Sequence, residues 1–206
     1  MVFKSKNFCI VLSSPSGAGK TSISKMLLTK DKSLSLSISC TTRPRRKGEI
    51  NKKDYIFLSE DQFNLSVRKS KFLESASVFG HKYGTLRDTV NNLFSKKKDV
   101  LFDIDWQGYQ QLKQSNMDVV GIFILPPSKT ELINRLRTRG RDTKDEMKKR
   151  MSLVQDEISH FPEYDYAVIN EDLDECVEKI TNIIKAERLK KSRLMNLTNF
   201  VSKFRH

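Results

Sequence analysis

The chain has 206 residues, of which 37% are hydrophobic and 31% are charged, and its formal net charge is +13. This balance excludes disordered, collagen-like and low-complexity chains, and the length predicts one globular domain, with or without insertions. The longest apolar run, residues 119–125, is far shorter than the roughly 20 residues of a membrane-spanning helix. We therefore expect a soluble protein without a transmembrane segment.

Short apolar runs alternate with segments of helical period along the chain. The strand-like runs are residues 8–12, 34–38, 100–104, 119–125 and 166–169. Most of them are continuously apolar, as strands buried on both faces are. The alternation predicts a parallel sheet covered by helices, and hence an α/β fold. Capping-box spacing predicts helix starts at Ser128, Thr143 and Asp172.

Two segments depart from this alternation. Residues 41–54 are polar, basic and rich in turn formers, and they precede β-like runs at 55–58 and 72–78 with a short helical segment at 61–68 between them. We interpret this part as an insertion into the parallel sheet. Residues 137–150 are rich in Arg and Lys and poor in apolar side chains, so we expect them to project from the core.

A glycine-containing turn follows the first predicted strand and opens the first predicted helix. Its sequence, here called the phosphate loop, is Ser14-Pro15-Ser16-Gly17-Ala18-Gly19-Lys20-Thr21. Such a turn surrounds a phosphate with backbone N–H groups and a helix N-terminus, while the Lys reaches the outer phosphates and the Thr hydroxyl binds magnesium. Ser14 replaces the first glycine of the general pattern, and an ordinary strand-to-helix turn is the alternative. Gly19, Lys20 and Thr21 after a buried strand favour nucleotide phosphate binding.

Two carboxylates mark the end of the predicted strand at 100–104. Asp103 and Asp105 fall at the carboxyl edge, where open α/β sheets bind ligands. Asp103 is a candidate to order the water shell of a magnesium ion, although an isolated Asp at a strand end more often caps or forms an ion pair. The phosphate loop upstream favours the magnesium role.

The cysteine content indicates the cellular compartment, and the net charge indicates the classes of ligand that the protein attracts. Cys9, Cys40 and Cys176 form no CxxC pair, so neither a disulfide framework nor a zinc cluster is predicted, and a reducing cytoplasm fits best. The net positive charge attracts anions such as nucleotides, nucleic acid or acidic lipid headgroups. Charge alone does not choose among these partners.

Four motifs, in this order, resemble those of the guanylate kinase family. They are the loop at 13–21, Thr41-Thr42-Arg43 with Gly48-Glu49, Asp103-Ile104-Asp105 with Gln107-Gly108, and Arg135 with Arg139-Gly140. The similarity extends from about residue 8 to residue 188. The combination is more specific than any single motif, because other nucleoside monophosphate kinases share the phosphate loop but not the Thr-Thr-Arg segment.

The resemblance implies a chain in three parts. These are a P-loop NTPase-type core with a parallel sheet flanked by helices, an inserted mixed α+β subdomain that binds GMP, and a small helical lid. The expected residues are 1–38, 86–136 and 156–206 for the core, 39–85 for the insertion and 137–155 for the lid.

The same resemblance implies an acceptor site for GMP. Arg43 and Arg46 match the family's arginines that grip the acceptor phosphate, and a rearranged proline leaves Arg45 as an alternative to Arg46. Guanidinium groups suit this role because they offer paired planar donors. Glu74 matches a carboxylate that accepts from guanine N1–H and the exocyclic amine, which adenine does not present on that edge. The other implied GMP-binding residues are Ser39, Tyr55, Tyr83, Thr85 and Asp105.

The resemblance also implies a donor site for ATP. Arg135, Arg139 and Arg150 match lid arginines that approach the donor phosphates, whereas without the phosphate loop they would be interpreted as a solvated basic helix face. With Lys20 and Arg43 they form the implied catalytic set. The implied ATP-binding residues are Ser14, Pro15, Ser16, Gly17, Ala18, Gly19, Lys20, Thr21, Ser22 and Asn170. Magnesium is expected to bind Thr21 directly and Asp103 through water.

The implied reaction transfers the γ-phosphoryl group of ATP to GMP, and to dGMP, with Mg²⁺ as cofactor. One alternative is a guanylate-kinase-like module that binds proteins without turnover. Nucleic-acid binding is a weaker alternative, because no interleaved aromatic side chains accompany the basic charge. A monomer and a homodimer both remain open. The apolar stripe of the basic C-terminal tail could cover the protein's own core, a second subunit or a membrane surface; it comprises Leu197, Phe200, Val201 and Phe204.

Overall fold

A five-stranded parallel sheet forms the centre of the computed structural model, which describes residues 3–78, 80–138 and 144–204, with backbone alone for 138 and 144–150. Its strands are β1 (Cys9–Ser13), β2 (Leu34–Leu36), β7 (Asp99–Asp103), β8 (Val119–Leu125) and β9 (Tyr166–Ile169). Their spatial order is β2-β7-β1-β8-β9, and every neighbouring pair is parallel. The parallel α/β sheet expected from the sequence is confirmed.

The strand boundaries differ slightly from the sequence-based ones. The run at 8–12 becomes Cys9–Ser13 and the run at 100–104 becomes Asp99–Asp103, while 119–125 and 166–169 are unchanged. The run at 34–38 was too long, because the strand ends at Leu36. Beyond it, the Ser37 hydroxyl donates to the Leu101 carbonyl at 3.2 Å.

Helices cover both faces of this sheet. α1, α3, α4 and α7 supply buried side chains to the two clusters on these faces. In chain order, the helices of the described residues are α1 (Lys20–Lys30), α2 (Glu60–Arg68), α3 (Arg87–Ser95), α4 (Trp106–Gln114), α5 (Lys129–Thr138), α6 (Lys144–Ser159), α7 (Leu173–Arg188) and α8 (Leu197–Ser202), with a 3-10 turn at Phe161–Glu163. Side chains of β1 alternate between the faces, so Ile10 and Leu12 pack with α1 and α7, whereas Cys9 and Val11 pack with α3 and α4. Within the described residues, no helix is long and apolar enough to cross a membrane.

Helix capping agrees with two of the three predicted starts. The Ser128 hydroxyl accepts from the Glu131 N–H at 3.1 Å, and the Asp172 carboxylate accepts from the Glu175 N–H at 3.0 Å. Thr143 lies outside the described residues. Each cap satisfies a backbone donor that the first helical turn leaves free.

A second sheet of four strands lies within residues 39–86. Its strands are β3 (Cys40–Thr41), β4 (Ile56–Phe57), β5 (Phe72–Val78) and β6 (His81–Leu86), in the order β4-β3-β6-β5. The β3–β4 pair is parallel and the other two pairs are antiparallel. The sequence predicted β4, β5 and α2 but not β3 or β6, because β3 has two residues and β6 contains Gly84 among polar side chains.

The C-terminal tail packs against the N-terminal segment. The Lys6 N–H donates to the Arg193 carbonyl at 2.8 Å, and the rings of Phe3 and Phe200 meet edge to face with centroids 5.1 Å apart. Phe200 of the apolar stripe therefore packs on the protein's own chain, whereas Val201 and Phe204 of the same stripe are 42% and 73% exposed.

Arg193 anchors this tail. Its side chain is buried, donates to both carboxylate oxygens of Asp118 at 2.7 Å, and forms an ion pair with buried Glu187. The guanidinium lies 4.2 Å from the centroid of the Phe8 ring. A cation held by two carboxylates and an aromatic face joins three separate parts of the chain.

Replacing Arg193 by Ala removes the buried cation beside Glu187. We expect the free energy of unfolding in urea to fall by about 2 kcal/mol, because Asp118 and buried Glu187 both lose their hydrogen bonds to the guanidinium, while Lys190 continues to pair with Glu187. Lys203→Ala, at an exposed position of the same tail, is the control and should change stability by less than about 0.5 kcal/mol. Equal losses in the two variants would contradict the anchoring role.

Candidate active site

A cavity of about 270 Å³ lies between the carboxyl ends of β1 and β7 and the second sheet. Most of the residues predicted to bind either nucleotide line it. The lining residues are Ser14, Pro15, Ser16, Gly17, Gly19, Lys20, Thr21, Ser39, Tyr55, Glu74, Ala76, Val78, Tyr83, Asp103, Ile104, Asp105 and Glu157. The tertiary fold therefore brings the phosphate loop and the guanine-side carboxylate onto one cavity.

The backbone conformation of the phosphate loop explains why glycine occupies two of its positions. Gly17 and Gly19 have φ values of 95° and 100°, a left-handed region that glycine adopts readily, whereas Ser14 has no positive φ. The loss of the leading glycine at Ser14 is therefore compatible with the loop geometry. A Cβ on Gly19 would lie 2.4 Å from Nδ2 of Asn170, whose amide donates to the Ala18 carbonyl at 2.7 Å.

Lys20 begins α1 and points back to the end of β7. Its ammonium lies 2.7 Å from Oδ1 of Asp103 and donates to the Ile104 carbonyl at 3.1 Å. Burial opposes the charge of Lys20, but the attraction and hydrogen bond of Asp103 outweigh it and raise its pKa. The ion-pair alternative for Asp103 is thus observed. Thr21 is exposed on the same cavity, and its hydroxyl with a carboxylate is an oxygen donor set that suits magnesium.

The sequence analysis missed Glu157 of α6. Its Oε2 accepts a hydrogen bond from the Ser16 N–H at 3.0 Å, inside the phosphate loop. Burial raises the pKa of Glu157, opposed by this N–H and by the charge of Lys20. A carboxylate therefore occupies one of the loop's backbone donors. No local signal marks it, because it lies in a charged helix beside exposed Asp156.

Glu74 of β5 is the buried carboxylate of the site. It is 3% exposed, and burial raises its pKa to about 7, with Thr85 hydrogen bonding in opposition and the Asp105 charge adding to the shift. Among the described residues, Oε1 of Glu74 has no hydrogen-bond partner. A desolvated carboxylate with a free acceptor oxygen is suited to donors carried by a ligand.

Hydroxyl and aromatic side chains surround Glu74. The Ser39 and Thr85 hydroxyls lie 3.5 Å apart, and Thr85 is fully buried. The rings of Tyr55 and Tyr83 meet edge to face with centroids 6.1 Å apart, and burial raises the pKa of the Tyr55 hydroxyl. These side chains form an amphipathic wall on the Glu74 side of the cavity.

The predicted phosphate-binding arginines lie beside this cavity and not on its lining. Arg43 is buried, donates to Oε1 of Glu49 at 2.6 Å, and lies 5.4 Å from the centroid of the Tyr55 ring. This hydrogen bond, which Arg43 donates to Glu49, raises the pKa of Arg43. Glu49 also accepts from the Arg46 N–H at 2.7 Å. Arg45 and Arg46 are both exposed, so their geometry does not choose between them.

A second, shallower depression of about 500 Å³ lies on the other side of the phosphate loop. Its lining includes Ser22, Arg135 and Asn170. Arg135 donates to Glu131 at 2.7 Å and to the Asn170 carbonyl at 3.3 Å. Arg139 lies outside the described residues, as does the side chain of Arg150, so their approach to donor phosphates stays a prediction.

A parallel sheet with a glycine loop, a following Lys-Thr pair and an acidic neighbouring strand defines the P-loop NTPase class of α/β proteins. A family model described as guanylate kinase matches residues 6–187. The chain belongs to the guanylate kinase family.

Individual relatives agree with the family match. A guanylate kinase of Paramagnetospirillum magneticum is 48% identical over 201 residues, covering 97% of this chain and 94% of that protein. One of Nitrobacter winogradskyi is 50% identical over 197 residues, covering 95% and 90%. A crystal structure of guanylate kinase from Anaplasma phagocytophilum superposes with a TM-score of 0.80 at 35% identity, covering 98% of this chain and 96% of that one.

Glu157→Gln removes the negative charge that contacts the phosphate loop at Ser16. We expect the dissociation constant for inorganic pyrophosphate, measured calorimetrically at about pH 8, to fall at least about fivefold, because like charges a few ångströms apart repel by about 1 kcal/mol or more. Asp156→Asn makes the same change in net charge one residue away and is the matched control. Equal effects of the two variants would show that only overall charge matters.

Proposed function

We propose that this protein is an ATP:GMP phosphotransferase, converting ATP and GMP to ADP and GDP, with dGMP as a further acceptor. The observation that carries the proposal is the shared cavity. The phosphate loop with Lys20 and the buried carboxylate of Glu74 open onto the same space. Membership of the guanylate kinase family supports the same reaction.

The guanine base is proposed to bind on the Glu74 side. Ionised Glu74 accepts from N1–H and the exocyclic amine, while the hydroxyls of Ser39 and Thr85 donate to O6. Tyr55, Tyr83 and Asp105 complete the acceptor site. Adenine lacks both donors on that edge, so a desolvated carboxylate would remain unpaired beside it and would disfavour AMP.

The acceptor phosphate is proposed to bind Arg43 together with Arg46, with Arg45 as the alternative second arginine. Arg43 is already oriented by Glu49 and by the Tyr55 ring. A phosphate, like this carboxylate, offers a guanidinium two acceptor oxygens at once, and it carries more charge. Binding therefore exchanges one anion for another and leaves the guanidinium paired.

The donor is proposed to place its phosphates in the phosphate loop, where Arg135 approaches them, and its adenine beside Asn170. Ser22, in the first turn of α1, lines the depression beside the loop and belongs to the same proposed donor site. Magnesium would be held by Thr21 directly and by Asp103 through water. Bound there, it would neutralise charge on the donor phosphates. Arg139 and Arg150 complete the proposed catalytic set.

The transfer needs little covalent help from the protein. A phosphate oxygen of GMP bonds to the γ-phosphorus while the bond from that phosphorus to ADP breaks, and its electron pair leaves with ADP. The attacking oxygen is already anionic near neutral pH, so no strong base is needed. Lys20 and the arginines contribute by positioning the two phosphates and neutralising their charge.

We assign residues 39–85 to a GMP-binding insertion, 137–155 to a lid, and the remainder to the core. Closure of the lid over the donor would exclude water and so limit hydrolysis of ATP. The three cysteines are free and buried, which supports a reducing compartment such as the cytoplasm.

The proposed function is tested by ADP formation from ATP and magnesium with GMP, AMP, CMP and UMP supplied separately. We expect turnover with GMP alone, because only guanine presents both donors to Glu74. Turnover with another acceptor would retain the phosphotransfer class and contradict the Glu74 assignment. No turnover with any acceptor, in folded protein, would support a binding module.

Lys20→Ala is the variant that links this activity to the phosphate loop. We expect kcat to fall by at least about a hundredfold, as for loss of one group that stabilises developing charge. Lys25→Ala, an exposed lysine of the same helix, is the control and should retain activity. Retained turnover in Lys20→Ala would contradict the loop assignment.

The raised pKa of Glu74 predicts a pH dependence of GMP recognition. As pH falls through about 7, Glu74 becomes protonated and loses an acceptor oxygen. From about pH 8 to about pH 6, kcat/KM for GMP should therefore fall about tenfold, since this ratio reports groups of the free enzyme.

Glu74→Gln supplies the baseline for this measurement, because the GMP phosphate itself titrates near pH 6. The variant should show a lower kcat/KM whose remaining pH dependence comes from the phosphate. Identical pH slopes in wild type and variant would contradict the titration of Glu74.

A further inference from the structure

The strand that carries Glu74 is an edge strand. β5 pairs with β6 on one side only, so its outward N–H and C=O groups need other partners where they face α4. At Ser75 these partners are both supplied by one side chain. The Ser75 N–H donates to Oε1 of Gln111 at 2.9 Å, and Nε2 of Gln111 donates to the Ser75 carbonyl at 2.8 Å.

Gln111 thus replaces a neighbouring strand at one residue of β5. Its Nε2 also donates to the Gln107 carbonyl, one turn earlier in α4, at 3.2 Å. That bond ties the amide to its own helix. The pair of hydrogen bonds to Ser75 therefore fixes β5 relative to α4 in distance and in register.

Glu74 directly precedes Ser75 and depends on this placement. The register of β5 with β6 shifts between Phe72 and Glu74, and such a bulge re-aims the side chain next to it. Glu74 then lies against α4 so closely that a Cβ on Gly108 would be 2.8 Å from its Oε2. A small movement of β5 away from α4 would separate Glu74 from this helix.

Asp105 links the same helix to the base side of the cavity. It caps α4 by accepting from the Gly108 N–H at 3.1 Å, and it lines the cavity with Glu74. The relative position of these two carboxylates is therefore set by the contact between β5 and α4. Gln111 itself does not line the cavity.

We propose that Gln111 is a positioning residue for guanine recognition, which holds β5 against α4 and thereby sets Glu74 relative to Asp105. This inference rests on the proposed function, because it concerns the same acceptor site. It adds a residue outside the cavity, 36 positions from the strand it holds. We therefore expect a change at Gln111 to lower kcat/KM for GMP and the discrimination between bases, and to leave KM for ATP nearly unchanged.

The test compares Gln111→Met with Gln110→Met. Gln110 is the matched control, because its amide on the same helix donates elsewhere, to Glu163 at 2.9 Å. In Gln111→Met we expect kcat/KM for GMP to fall about tenfold while KM for ATP changes less than about twofold. The preference for GMP over IMP, which lacks the exocyclic amine, should also decrease, whereas Gln110→Met should match the wild type.

A readout independent of folded fraction is the pH midpoint of kcat/KM for GMP. Water admitted between β5 and α4 would hydrate Glu74 and reduce the desolvation that raises its pKa. The midpoint in Gln111→Met should therefore lie below that of the wild type. An unchanged midpoint together with an unchanged GMP-to-IMP ratio would overturn the proposal. Loss of enzyme to misfolding alone would alter neither quantity.

Gln111→Glu keeps the test decisive if the Met variant does not fold. Its carboxylate still accepts from the Ser75 N–H but meets the Ser75 carbonyl with an acceptor in place of a donor, so kcat/KM for GMP is expected to fall by more than about twofold. A value within about twofold of the wild type would overturn the proposal. A wild type inactive with GMP would instead contradict the proposed function, which separates the two failures.

Discussion

The parallel pairing of β1 with β7 is the constraint on which the site depends. Leu12 stands opposite Asp103 in this register, so the chain leaves β1 for the phosphate loop beside the point where β7 ends in carboxylates. Because both strands run in the same direction, their carboxyl ends share one edge of the sheet. Lys20 then returns from the start of α1 to Asp103, and the second sheet closes the cavity from the other side.

The proposed phosphate-binding groups are neutralised by the protein's own carboxylates. Lys20 forms an ion pair with Asp103, and Arg43 forms one with Glu49. The Ser16 N–H donates a hydrogen bond to Glu157. Such pairing orients each donor without leaving a partly buried charge uncompensated. The net free energy of substrate binding is then a difference between two sets of similar contacts. Glu74 differs, because its desolvated carboxylate keeps an oxygen without a partner among the described residues, so guanine would supply contacts that the protein lacks.

The parts of the fold that the sequence predicted are those with a strong local signal. β8 and β9 follow from continuous apolar runs, and Asp172 marks the start of α7 through local capping. β3 was not predicted, because it has two residues and is a strand by virtue of its pairing with β4 and β6. Glu157 and Gln111 were not predicted either, since each acts through a hydrogen bond to a distant element, Glu157 to a backbone group 141 positions away. Neither residue type nor spacing along the chain predicts such a contact.

The α/β class, the phosphate loop and the resemblance that implied the acceptor residues could all be recognised in the amino-acid sequence. These depend on hydrophobic periodicity and on short runs whose chemistry is local, which a linear pattern records. Three features required the folded chain: the pairing of Asp103 with Lys20, the burial of Glu74 that raises its pKa, and the hydrogen bonds of Gln111 to the edge of β5. Burial and ion pairing depend on which elements become neighbours, and that is a property of the packed fold as a whole.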